Sequence, residues 1–468
     1  MLNFLRKWFS HKQKLKKEYL LIDTFGCTEK PPTECPTFLE RNVHTQFQNA
    51  LKLNNIIVVY GESRQGKTWT IERYCPNQIR IGCRADMNID SLKDEMLLQI
   101  NADYYEIEHT IKEEHSQTAS SSIGTDSSAS INISAVGLQM QTRAGMDCSN
   151  KQSITEEIKT HYITFDKNNT TMFIEEIRKN SEGKYFVFDN FHYLLPKVQQ
   201  QFCTLLKEFN YHEIKIIIIG VWKETSRITA LAPDLVNRCK HIDIGTWNDS
   251  ELLDVLYLGE EALNIRIIDE IKTMFVRYSV NNIGIFKDFL QHYLIAVGID
   301  KTQTPRRLLN DTSKAENAIR QSVLELLTPL HDRIMNLALP QRDKKGSKHL
   351  RLKIVIGILT LLNQYESNRT EYGFSPSEIK NQIDIISEEL HEDSIDISNI
   401  TQELGMLHQR EENRQTNNNF ISLFYYDKAN KKLLILEPTL YVIKAYDNKM
   451  IDSIVSELKE TIIRKEKK

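Results

Sequence analysis

The chain has no Cys-x-x-Cys pair. Its seven cysteines (Cys27, Cys35, Cys75, Cys83, Cys148, Cys203, Cys239) are odd in number and scattered. That excludes a disulfide framework and a cysteine zinc site, and leaves the pattern of reduced thiols in a cytosolic protein. No apolar run reaches the roughly 18 to 20 residues that span a bilayer, and the N-terminus lacks the unbroken apolar centre of a signal peptide. Integral membrane association is therefore not expected; a cytoplasmic location is. Charge of one sign is also missing: 60 basic against 63 acidic side chains leave a net charge of −3, which draws the molecule as a whole neither to nucleic acid nor to anionic lipid. Any such binding must come from a local patch.

What is present suggests an α/β protein with added helical parts. The 468 residues leave room for two or three domains. Residues 1–35 form a basic lead-in, in which Leu2, Phe4, Leu5, Trp8, Phe9 and Leu15 interleave with Arg6, Lys7, Lys12, Lys14, Lys16 and Lys17. This is a helix that either lies on a membrane surface or packs its apolar side on protein. Residues 36–247 alternate strands (Ile56 to Tyr60, Ile79 to Cys83, Tyr185 to Asp189, Ile214 to Gly220, His241 to Gly245) with amphipathic segments, as a parallel sheet covered by helices on both faces requires. Within them, about residues 103–160 form an insertion rich in Ser, Thr and Gly, which serves either as linker or as a loop that touches a partner. Its stretch Ile131 to Thr142 alternates as a hairpin would.

From 248 to 338 the period becomes helical, and 339–349 is a polar, basic linker. Residues 350–468 give a helix from Leu350 to Leu362, a helix started by Ser375-Pro376-Ser377-Glu378, and a helix capped by Asp396 or Ser398. A hairpin then pairs Phe420 to Tyr426 with Leu433 to Leu436. Three helices and a hairpin are the order of a winged helix.

The most specific segment is Gly61-Glu62-Ser63-Arg64-Gln65-Gly66-Lys67-Thr68, directly after a buried strand and directly before a helix. In that context Gly-x4-Gly-Lys-Thr is a phosphate loop. Its backbone amides and helix N-terminus surround a β-phosphate, Lys67 reaches the β- and γ-phosphates, and the Thr68 hydroxyl ligates Mg²⁺. Such a loop requires a second apolar strand ending in an acid. Tyr185-Phe186-Val187-Phe188-Asp189 supplies it, with the strand expected beside the first so that Asp189 meets the metal shell. Next comes Asn190, which cannot serve as a base, so hydrolysis is expected to be slow. His192 either replaces that base or is packed. No Asn/Thr-Lys-x-Asp segment that would read guanine follows Gly220, which favours ATP.

The phosphate loop, the Asp189 strand and the strand to Gly220 followed by Val221-Trp222-Lys223-Glu224-Thr225-Ser226-Arg227 resemble the AAA+ and STAND group of ATPases. The helical lid and terminal winged helix make the layout most similar to the origin-recognition-like branch, over about residues 35 to 445. The resemblance implies that Thr225 or Ser226 senses the γ-phosphate. It implies that Arg238, or less directly Arg227, reaches a neighbouring subunit's nucleotide. Lys287, three positions after Gly284, takes the place of a basic lid residue; as lysine it lacks bidentate geometry, and it is otherwise a surface lysine. Phe38-Leu39-Glu40-Arg41 resembles the segment that packs near the adenine. Bacterial proteins of this layout often serve defence systems.

Residues 348–468 hold 17 basic against 19 acidic side chains. The third helix carries Asn399, Gln402, Gln409 and Arg410, but Glu403, Glu411 and Glu412 would repel a phosphate backbone. Lys428, Lys431, Lys432 and the linker's Arg342, Lys344, Lys345 and Lys348 could form one local patch. The sequence therefore implies an ATP- and Mg²⁺-dependent switch that signals to a protein partner, with a homo-oligomer through Arg238 as an option. The alternative is an initiator or loader whose winged helix contacts duplex DNA.

Overall fold

A computed structural model describes residues 17–26, 35–84, 86–100, 167–220, 235, 237–339, 349–365, 373–392, 394–412, 422–427 and 430–466. The insertion at about 103–160, Thr225, Ser226, Arg227, Lys428, residues 1–16 of the basic lead-in and linker residues 340–348 lie outside the described residues.

Five strands make one parallel sheet: β1 Ile56–Tyr60, β2 Gln78–Gly82, β3 Tyr185–Asp189, β4 Ile216–Ile219 and β5 Cys239–Asp243, in the order β2-β3-β4-β1-β5. The expected neighbour relation is corrected here, because β4 lies between β1 and β3. The reason is the burial of β4: all four of its isoleucines are closed off, which an edge position would not allow. The expected ends of the second, fourth and fifth strands also move by one or two residues.

Successive residues of each strand feed opposite cores, as the two-residue period dictates. Ile56, Val58, Phe186, Phe188, Ile216 and Ile218 join one core, packed with the helices Ile89–Gln99, Thr170–Asn180 and Pro196–Tyr211. Ile57, Val59, Tyr185, Val187, Ile217 and Ile219 join the other, under the helices Asn42–Leu53 and Lys67–Tyr74. Phe202 shows the packing density: its ring meets Phe188 edge-on at 4.5 Å and Phe191 at 5.2 Å. Removing such a ring costs about 3 to 5 kcal/mol.

The lid comprises the helices Asp249–Leu263, Asp269–Ser279, Ile283–Ala296 and Thr312–Ala338, with a two-strand parallel pair, β6 Ile265–Ile267 and β7 Arg307–Leu309. Asn248 starts it with a capping box, its side chain accepting from Glu251 N while Glu251 accepts from Asn248 N. The short helix Leu21–Phe25 is tied to the lid: Leu21 N donates to Asp300 O, and Thr302 N to Tyr19 O.

The C-terminal part has the winged-helix order: Leu350–Gln364, Pro376–Glu389, Ile397–Glu412, then the antiparallel hairpin β8 Phe424–Asp427 and β9 Lys432–Ile435. Two further helices, Thr439–Tyr446 and Asn448–Glu466, follow. Rather than standing apart, this part shares one continuous hydrophobic core with the lid, from Leu252 and Phe289 through Leu337 to Ile358, Val442 and Leu458. Arg333 of the lid donates to Glu437 at 2.7 Å across the junction.

Two expectations for this part are corrected. Glu403 does not face outward; it is buried and accepts from Arg351 at 2.8 Å. Lys432 is not a free hairpin charge, since it faces Glu378 at 3.7 Å. Among the described residues no helix is long and apolar enough to cross a membrane.

Candidate functional site

The phosphate loop bends where glycine permits it. Gly61 has φ 139° and Gly66 φ 91°, both in the region that side chains avoid, and Gly66 forms the N-cap of the helix Lys67–Tyr74. Lys67 therefore begins a helix whose N-terminal dipole favours an anion. Its Nζ donates to the carbonyls of Gly61 at 2.9 Å and Glu62 at 2.6 Å. Burial lowers its pKa to about 8, opposed first by the Asp189 carboxylate and then by Asp243. Those two acids, at the ends of β3 and β5, flank the ammonium.

Asp189 is engaged at both oxygens. Oδ1 accepts from Asn190 N at 2.9 Å, and Oδ2 accepts from Arg80 Nη2. Arg80 also donates Nη1 to Glu72 Oε1 at 2.7 Å, so one guanidinium joins the helix behind the loop to the acidic strand end. Asn190 has φ 58°, the left-handed region that asparagine tolerates better than most residues. His192 is buried in the turn that follows and stands beside Tyr193, ring to ring at 4.1 Å.

These residues open on a cavity of about 670 Å³, within the range of small-molecule sites. Its phosphate-loop end is lined by Ser63, Arg64, Gln65, Gly66, Lys67, Thr68, Arg80, Asp189 and Asn190. The end formed by Phe38, Leu39 and His44 is apolar and aromatic, and Trp247, Val255 and Ile283 add further apolar lining. Phe38 and His44 stack at 5.1 Å, and burial lowers the His44 pKa to about 4, so its ring is neutral near pH 7. Arg41 holds that end together: it donates to the Ile244 and Thr246 carbonyls and to Glu251, and lies 4.4 Å over the Trp247 ring.

The donor set fits a nucleotide that brings its own metal. Thr68 and Asp189 offer a hydroxyl and a carboxylate oxygen, the hard ligands Mg²⁺ takes alongside phosphate. Among the described residues no group of three or more His, Cys, Asp or Glu could hold a metal by itself.

The lid closes directly onto the loop. Gly284 N donates to Arg64 O at 3.1 Å, Asn282 Nδ2 to Ser63 O at 3.0 Å, and Trp247 Nε1 to Gln65 O at 3.3 Å. Arg64 in turn pairs with Asp288 at 2.8 Å. Lys287 is not a surface lysine: it is buried, lines the cavity, and its Nζ stands 4.3 Å from the centre of the Trp69 ring.

Of the residues singled out from sequence, Ser63 to Thr68, Asp189, Asn190 and Lys287 come together around the cavity. Gly61 and Glu62 complete the loop beneath Lys67. Arg238 is exposed at the start of β5 and does not line the cavity. Sequence reading missed Arg80, Asp243, Trp247 and Asn282. Asn282 alone carried a local signal, as an N-cap residue two positions before Gly284. The others are scattered polar or aromatic residues with no pattern to mark them.

No protein-family model matches the chain, and no curated protein does. Among solved structures it is similar to a Walker-type ATPase of Pyrococcus abyssi, with TM-score 0.49, 10% identity and coverage of 90% of this chain and 99% of that one. It is similar also to Orc1 of Aeropyrum pernix, solved in complex with DNA, with TM-score 0.39, 11% identity and coverage of 95% and 98%. A third is Cdc6p from Pyrobaculum aerophilum, with TM-score 0.36, 13% identity and coverage of 91% and 97%. At these values the likeness says nothing of what this chain binds or does. The chain's own strand order, phosphate loop, lid and terminal helices with hairpin make it a P-loop fold with a central parallel sheet, a helical lid and a C-terminal part of winged-helix order.

Proposed function

We propose that this protein is an ATP-dependent switch in which nucleotide occupancy at the phosphate loop sets the position of a combined lid and winged-helix body. One observation carries the reading: the lid hydrogen-bonds the loop's own backbone at Ser63 and Arg64, while sharing a continuous core with the winged helix. A change in loop geometry is thereby passed to the C-terminal part through that shared core.

Bound ATP with Mg²⁺ would supply the phosphate charge that Lys67 and Lys287 face and the metal that Thr68 and Asp189 hold. Lys67 would leave the Gly61 and Glu62 carbonyls to meet phosphate oxygens. The far end, with a neutral His44 beside Phe38 and Leu39, suits an uncharged base. Tyr193, in the turn after Asp189, is near enough to feel the charges of Asp189, Arg333 and Glu437. The metal-side turn and the junction of lid and winged helix are therefore neighbours. Asn190 provides no base, so turnover is slow and the ATP-bound state persists. The output would pass to a protein partner in the cytoplasm, with the exposed Arg238 free to reach a second copy.

Duplex DNA is the second reading, supported by exposed Asn399 and Gln402 on the helix Ile397–Glu412 and by exposed Lys431 at the hairpin turn. Against it stand the paired Lys432 and the acidic balance of the part.

The test is ATP binding and turnover by wild type, Lys67→Ala and Asn190→Glu, with and without duplex DNA, while light scattering follows mass. The switch reading expects wild type to bind ATP, turn over slowly and change mass or partner affinity, and Lys67→Ala to lose all three. Unchanged ATP affinity in Lys67→Ala would sink it. Brisk turnover on adding DNA would replace it with the loader.

A further inference from the structure

The Glu72, Arg80 and Asp189 trio is not explained by the reading above, which needs only the carboxylate. Arg80 sits on β2 opposite Val187 of β3, two residues short of Asp189 on the same strand face. Gly82, opposite Asp189 itself, has no side chain to fill the space. The guanidinium therefore runs along the sheet to the strand end, where it lines the cavity beside Lys67 and Thr68. Glu72 holds its other edge, and Glu72 is itself fixed by Gln78 Nε2 at 2.8 Å. All three charged groups are largely shielded, with Arg80, Glu72 and Asp189 side chains 28%, 17% and 15% exposed.

Both oxygens of Asp189 are occupied in this arrangement, one by the Asn190 amide and one by Arg80. A metal water shell at Asp189 competes with a charge-assisted bond from a planar donor that a second carboxylate keeps aimed at the site. The metal's gain at Asp189 is offset by the lost guanidinium bond.

We propose that Arg80 is a built-in counter-ion for Asp189 that takes the place of the metal, so that this protein binds nucleoside triphosphate with little dependence on Mg²⁺. The guanidinium removes the repulsion between Asp189 and the phosphates when no metal is present. When metal enters, Arg80 retires toward Glu72. Occupancy of the site is thus separated from metal loading, and only the metal-loaded form has its Asp189 free of Arg80. The inference rests on the nucleotide reading of the cavity.

The experiment is equilibrium titration with N-methylanthraniloyl-ATP in excess Mg²⁺ and in EDTA, for wild type, Arg80→Gln and Arg80→Lys. Wild type should bind with affinities within about threefold of each other in the two buffers. Arg80→Gln should lose about tenfold in EDTA, where Asp189 faces the phosphates unshielded, and stay within about threefold of wild type in Mg²⁺. Arg80→Lys, which keeps a cation, should retain most of the metal-free binding. A purely structural role for Arg80 would weaken both conditions alike, and that result, or no change in either, overturns the proposal. The wild-type arm decides independently should Arg80→Gln fail to fold: binding in Mg²⁺ but none in EDTA defeats this inference alone. No binding in either buffer defeats the nucleotide reading with it.

Discussion

The backbone amide of Gly284 lies 3.1 Å from the carbonyl oxygen of Arg64, and a Cβ on Gly284 would come within 2.6 Å of the Arg64 Cβ. The first turn of a lid helix is thus in direct contact with the middle of the phosphate loop. Gly284→Ala separates helix propensity from this contact. Alanine should add roughly 0.5 to 1 kcal/mol within the helix, yet the methyl forces lid and loop apart. The expected outcome is a melting temperature of the free protein that barely moves and a clearly smaller rise on adding ATP. Thermal melts with and without ATP check it.

Asn282 works from both ends of its amide, accepting from Ile285 N at 3.2 Å and donating to Ser63 O at 3.0 Å. Asn282→Ala removes the cap and leaves the half-buried Ser63 carbonyl with one bond fewer. A loss of about 1 to 2 kcal/mol is expected, measured by urea unfolding. ATP affinity should fall with it.

Asn190 occupies a left-handed backbone position. Asn190→Glu should cost about 1 kcal/mol of stability while raising turnover. Asn190→Ala carries similar strain without a carboxylate and serves as the control. Equal turnover in the two variants would show that no water stands where a base at this position could act.

His44 titrates from about 4 in the folded protein, lowered by burial and, less, by Arg41, while Glu40 and Glu251 raise it. The unfolded chain, with its ordinary value of 6.5, binds the proton first as pH falls. The contribution of His44 to stability is therefore complete above pH 6.5 and is lost as pH drops from 6.5 toward 4. His44→Gln should flatten this part of the stability profile. Melting curves of both proteins across that window show whether their difference has the expected slope.

Glu437 accepts from Arg333 of the lid at 2.7 Å and from the Thr439 hydroxyl at 2.7 Å. Glu437→Gln weakens the charged bond and should cost about 1 to 3 kcal/mol. Because the pair lies outside the cavity lining, ATP affinity should be preserved while the ATP-dependent change in mass or partner binding is reduced. An unchanged response would mean that the signal leaves the core by another route.

Local chemistry made part of this protein legible in advance. The phosphate loop could be read because its function is a backbone shape, written in glycine spacing between a buried strand and a helix. Asp189 could be read because a phosphate loop requires a second apolar strand ending in an acid, and Tyr185 to Asp189 supplies one. Ser375-Pro376-Ser377-Glu378 announced a helix start, and the structure shows the reciprocal cap there. These signals span a few residues and depend on few other contacts. Only the tertiary structure put β4 between β1 and β3, since strand order follows from which faces must be buried together. Only it brought Arg80 to Asp189 across 109 positions, Asn282 to Ser63 across 219, and Glu403 inward onto Arg351. An arginine, an asparagine or a glutamate carries no local mark of its partner; the partner is chosen by packing, which closes long loops at small entropic cost once the cores have formed.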